Sequence, residues 1–175
     1  MKRRTFLAAT ATALAAPQRL AEFGLFAASK GQLRVGVIGH TGRGDFGHGL
    51  DTVWMKLSST DIVAVADANE AGLAAAKKKL NTSKGFSDYR EMLKAENLDV
   101  VAICPRHADQ HHEMAMATID AGVRGIYMEK PFVRTPGEAD GIVDACKKHN
   151  VKLAIAHRNR YHPVLKTIDK FIADG

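Results

Sequence analysis

Apolar residues in this chain gather in short dense runs, separated by longer stretches of mixed polarity, and the two alternate from Leu33 onward. Residues 33–39, 61–67, 99–104, 124–129 and 151–157 are rich in Val, Ile and Ala. Runs of that length, apolar on both faces, predict buried parallel strands. Between them the spacing turns helical. Leu50, Val53, Trp54 and Leu57 stand at i, i+3, i+4 and i+7, which predicts a helix with Trp54 in the core. Residues 71–80 predict an alanine-rich helix, 88–94 a short one, and 112–121 another that ends at Gly122. Thr135-Pro136-Gly137-Glu138 places a capping threonine, a proline at the first helical position and a glutamate at the third. Lys147-Lys148-His149 complements the dipole at the far end of that helix. A last helix is predicted after Pro163, with Leu165, Ile168 and Ile172 on one face. Strand–helix alternation of this kind means right-handed crossovers and a doubly wound α/β fold, a parallel sheet of Rossmann type.

Composition narrows the function. The 175 residues are 46% hydrophobic and 25% charged, enough for one core of ordinary size. The net charge is +6. Residues 1–28 hold four basic residues and one acidic, which leaves 21 basic against 18 acidic beyond them. So dilute a positive field argues against a nucleic-acid partner. Cys104 and Cys146 are too few for a disulfide framework or a zinc site and are expected to be buried thiols. His107, His111 and His112 lack metal-ligand spacing with a carboxylate, so no metal is expected. His40, His48 and His149 read as solvent-facing, whereas His157 follows the last strand and is a candidate to line a site.

The first thirty residues read differently. Lys2-Arg3-Arg4-Thr5-Phe6-Leu7, an apolar stretch to Ala16 and Ala13-Leu14-Ala15 before Pro17 resemble a secretory signal of the twin-arginine type. That implies an exported, periplasmic protein. The alternative is an amphipathic extension. The apolar stretch is too short to span a bilayer, so no stable membrane anchor is expected.

At the end of the first strand stands Gly39-His40-Thr41-Gly42-Arg43-Gly44. Glycines there let a backbone approach a pyrophosphate, which would rest on a helix N-terminus. With Gly39 as the first glycine of G-x-G-x-x-G, Thr41 takes the second place and crowds the approach, and Gly44 takes the third. Asp67 ends the second strand 23 residues after Gly44. An aspartate there accepts from ribose hydroxyls and repels a 2′-phosphate, which favours NAD over NADP.

Ala121-Gly122, Glu129-Lys130-Pro131, Thr135-x-x-Glu138-Ala139 and Arg160-Tyr161-His162-Pro163 resemble the Glu-Lys-Pro region and the R-F/Y-x-P segment of the Gfo/Idh/MocA oxidoreductases. His111 also matches, although the loop Arg106–Gln110 is about two residues longer than usual, and Arg158 replaces the family's Asn or Gln. The resemblance implies an NAD-binding domain over residues 31–163 and an exit helix over 164–175. It implies cofactor contacts from Gly39, Thr41, Gly42, Arg43, Gly44, Asp67, Pro105, Glu129 and Arg160. Lys130 would be catalytic, beside the nicotinamide and a substrate hydroxyl. In the family a second α/β domain supplies the substrate pocket, a catalytic histidine and the oligomer contacts. This sequence shows no counterpart, so the expectation is the NAD-binding half of a sugar or cyclitol oxidoreductase, without turnover or oligomerisation of its own. An NAD-dependent glycosidase and a purely dinucleotide-binding module are the alternatives.

Overall fold

The computed structural model describes residues 31–174; the signal-like leader over residues 1–30 lies outside them. Six strands, β1 (Leu33–Ile38), β2 (Thr60–Ala66), β3 (Gly85–Phe86), β4 (Val100–Ile103), β5 (Gly125–Met128) and β6 (Lys152–Ile155), form one parallel sheet in the order β3-β2-β1-β4-β5-β6. The order reverses between β1 and β4, and the crevice at their carboxyl ends is where doubly wound sheets bind ligands. The five runs read from the sequence are strands in the structure. The sixth, β3, has two residues, too short to leave a hydrophobic run.

Side-chain chemistry sets the helix boundaries. In α1 (Glu70–Lys79) the Asn69 side chain accepts from the Gly72 amide at 2.8 Å. In α2 (Tyr89–Ala95) Asp88 accepts from Arg90 at 2.8 Å. In α4 (Pro136–His149) the expected cap forms, Thr135 Oγ1 accepting from the Glu138 amide at 3.2 Å. α3 (His111–Asp120) gives way to Gly122 at φ +78°. α5 (Val164–Ala173) follows Pro163 and leaves Val164, Ile168, Phe171 and Ile172 exposed.

Both sheet faces are packed. Ile38, Ile103, Met128, Met92, Met114, Ile119 and Ile142 fill one side, and Val35, Val37, Val65, Leu50, Leu80 and Cys104 the other. Both cysteines are buried, as expected, and burial pushes both thiols above the usual range.

One expectation fails. The segment after β1 does not open a helix: residues 41–52 are turns, and only a 3-10 turn forms at Val53–Lys56. Gly44, Gly47 and Gly49 have φ of +93°, +63° and +89°, and Asp45 lies at +54°. Backbone in that region cannot propagate a right-handed helix, and the glycines outweigh the apolar spacing. Leu50 still reaches the core and Trp54 packs edge-on against Tyr127, ring centroids 5.9 Å apart. Leu57 is exposed. The dipole of a helix following this loop is therefore not what awaits an anion; turn amides are.

Candidate functional site

The predicted site residues fall into two neighbouring groups. The first is the turn after β1. An isolated bridge pairs His40 with Asp45 and closes the turn around Thr41, Gly42, Arg43 and Gly44. Asp67, only 2% exposed, lies beneath it and accepts from the Thr41 amide at 3.0 and 3.1 Å, from Thr41 Oγ1 at 2.7 Å and from the Asn69 amide at 2.9 Å. The longer Arg106–Gln110 loop clasps the turn from the β4 side. Arg106 Nε donates to Gly44 O at 3.2 Å, Arg43 pairs with Asp109, and His40 Nδ1 lies 2.7 Å from Gln110 Oε1. Gly39 is buried where β1 enters the turn. Gly44 is buried against Arg106, whose amide nitrogen lies 2.3 Å from where a Cβ would stand.

This group fits a dinucleotide phosphate. The Gly42 amide donates to Asp45 Oδ1 at 3.0 Å, and the Arg106 guanidinium lies 3.4 Å from Asp45 Oδ2. An N–H and a guanidinium thus already meet one carboxylate, each on its own oxygen, and a Cβ at Gly42 would meet nothing within 4 Å. The open side of the backbone is where a phosphate approaches closely.

The second group lines a cleft of about 1350 Å³ over the carboxyl ends of β5 and β6. Glu129, Lys130 and Arg160 line it, and so do His48, Tyr127 and His157. Glu129 is 1% exposed and braced on both oxygens: the Lys130 amide donates to Oε1 at 3.0 Å and the His48 amide to Oε2 at 3.0 Å. The His48 ring nitrogen Nδ1 also lies 3.2 Å from Oε2. Gly47 makes this possible, since a Cβ there would lie 2.6 Å from both Cys104 O and Glu129 Oε2. Burial, and then the Glu129 charge, raises the Tyr127 phenol above its ordinary value. Lys130 is exposed, immediately before a cis peptide bond to Pro131.

His111 joins the loops behind the two groups. It is fully buried, with Nε2 2.7 Å from Pro105 O and Nδ1 2.9 and 3.0 Å from Pro131 O and Phe132 O. Pro105 is therefore placed through its carbonyl, beneath the site. His48 is exposed, as the sequence reading has it, but that reading misses the contacts its amide and ring make with Glu129. The signal lies in the backbone of Gly47, not in the histidine. Among the described residues no group of three or more His, Cys, Asp or Glu side chains is placed to hold a metal, and no helix is long and apolar enough to cross a membrane.

Comparison with known proteins agrees with this fold. The Gfo/Idh/MocA model, described as an oxidoreductase family with an NAD-binding Rossmann fold, matches residues 33–157. D-apiose dehydrogenase of Paraburkholderia graminis is 31% identical over 122 residues, 70% of this chain and 32% of that protein. Myo-inositol 2-dehydrogenase of Thermotoga maritima is 26% identical over 143 residues, 82% and 41% of the two chains. A glycosyl hydrolase family 109 protein of Shewanella is 30% identical over 133 residues, 71% of this chain and 28% of that one. Among solved structures, an NAD-binding oxidoreductase from Klebsiella pneumoniae superimposes with a TM-score of 0.68 at 28% identity, over 82% of this chain and 39% of that one. The chain thus spans between 28% and 41% of the length of these relatives.

Proposed function

The chain belongs to the Gfo/Idh/MocA oxidoreductases, with their NAD-binding Rossmann fold, and on that premise we propose that it serves an exported enzyme that oxidises a hydroxyl of a sugar or cyclitol. The observation that carries this is the cleft, where exposed Lys130 stands beside a buried carboxylate at the carboxyl end of the sheet. NAD, when bound, takes up or returns a hydride at its nicotinamide ring.

The chain's own residues divide the remaining work. Gly42 and Arg106 hold pyrophosphate oxygens, and Asp67 accepts from the adenosine ribose and disfavours a 2′-phosphate. Lys130 Nζ donates to the substrate hydroxyl oxygen and steadies the negative charge that develops there as its proton passes to water. Glu129 fixes the Lys130 backbone and the His48 turn, and Arg160 binds polar groups of the substrate or cofactor from the β6 side. Sugar and cyclitol dehydrogenases among the relatives support the substrate class. The Shewanella glycosidase relative supports a second reading, in which the hydride is returned to the same sugar and a glycosidic bond is cleaved. Export rests on Lys2-Arg3-Arg4 and the apolar stretch that follows.

The test is NADH absorbance with a panel of aldoses and cyclitols and NAD, measured on the enzyme that this chain serves. The Lys130→Met variant is expected to lose about a thousandfold in rate while NAD affinity, measured by calorimetry, holds within twofold. Equal loss in both would make Lys130 a binding residue and overturn its role. Cleavage of an aryl glycoside without net NADH would favour the second reading.

A further inference from the structure

The proposed dinucleotide seat carries an unusual feature at its ribose end. Asp67 has two oxygens with about four acceptor positions, and three donors of the chain already share both oxygens. Oδ1 receives the Asn69 and Thr41 amides, and Oδ2 receives the Thr41 amide and hydroxyl. The shortest of these contacts, 2.7 Å, comes from the Thr41 hydroxyl. That side chain sits in a notch against the first turn of α1. A Cβ at Gly72 would lie 2.1 Å from Thr41 Oγ1 and 3.0 Å from Asp67 Oδ2. The hydroxyl therefore stands on Asp67 where a hydroxyl donor from a ligand would have to stand, and the carboxylate is only 2% exposed beneath it.

Resting on the NAD reading of this site, we infer that Thr41 sets dinucleotide affinity and selectivity: its hydroxyl holds the Asp67 acceptor that a ribose hydroxyl takes over on binding. Thr41 needs only a side-chain rotation to give way, because its amide keeps hold of Asp67 from the backbone. The exchange replaces one hydroxyl–carboxylate hydrogen bond by another, so Asp67 contributes to selecting NAD while adding little net affinity. Removing the competing donor leaves the free protein with an under-satisfied buried carboxylate and gives the ribose the full value of its hydrogen bond.

Calorimetric titration of the full chain with NAD, NADP, AMP and nicotinamide mononucleotide decides it. Thr41→Val keeps the branched shape and lacks the donor. It is expected to bind NAD and AMP five- to tenfold more tightly than the wild type. Nicotinamide mononucleotide should be unaffected, and NADP, whose 2′-phosphate meets a bared carboxylate, should bind no better. Thr41→Ser retains the hydroxyl and should return NAD affinity to within about twofold of the wild type. An unchanged or weakened NAD affinity in Thr41→Val overturns the inference and leaves the NAD site standing. Absence of NAD binding in both the wild type and Thr41→Val overturns the site reading and the inference together. If Thr41→Val fails to fold by circular dichroism, Thr41→Gly against Thr41→Ser makes the same comparison with the same expected gain.

Discussion

Gly47 is the residue on which the geometry of the cleft turns. Its φ of +63° aims the next amide, that of His48, at Glu129, and the space beside it is too small for a methyl group. Gly47→Ala is therefore expected to cost roughly 1–3 kcal/mol from backbone conformation alone, and more from the clash. The loss is read as a lower denaturant midpoint, and the His48 amide should lose its protection from hydrogen exchange. This also shows where sequence reasoning stops. Lys130 and Glu129 are legible because an ordered motif surrounds them. The role of His48 is not, because nothing in its neighbours says that a buried carboxylate eighty-one residues away, just past the end of β5, meets its amide. Asp67 is legible as a strand-end acidic residue, but the hold that Thr41 keeps on it depends on a turn that had to be seen.

At the level of elements, periodicity and capping chemistry locate most of the fold. The strands of the central sheet appear because parallel strands covered on both faces must be apolar throughout. α4 appears because its ends are written in Thr135, Pro136 and the closing lysines. Thr135→Ala should remove about 1 kcal/mol of stability, the usual worth of an N-cap, seen as a lowered thermal midpoint with the sheet signal intact. The stretch after β1 misleads for a physical reason. Its apolar residues keep helical spacing, but four glycines and Asp45 hold positive φ, so burial of Leu50 and Trp54 is reached from turns. Spacing reports which residues face the core, and local conformational preference decides by what path the chain brings them there.

At the scale of the molecule, all six strands run one way, and the loops that build the candidate site lie at their carboxyl end. The amino end carries something else. There Asp99 accepts from the Arg34 amide at 2.8 Å and pairs with Arg124, while Glu96 pairs with Arg34 and Lys84. Burial alone would raise the Asp99 carboxyl, but the Arg34 amide and the Arg124 guanidinium hold it below its ordinary value. Its stabilising contribution is thus complete above the unfolded value of about 3.9 and is lost as pH falls through the lower folded one. At the alkaline limit, burial raises the Tyr89 phenol to about 12. That contribution is complete below about 10 and fades as pH rises toward about 12. Thermal melts from acid to alkaline pH should therefore show stability falling at both limits. Asp99→Asn should flatten the acid limb, and Tyr89→Phe the alkaline one. The one-way sheet consequently makes a molecule with a foundation and a workbench. Repairs to the foundation, at Arg34, Asp99 or Arg124, can be made without disturbing the tools laid out at Thr41, Asp67, Glu129 and Lys130. A stabilised variant for handling and a retuned variant for chemistry can be sought in separate residue sets and then combined.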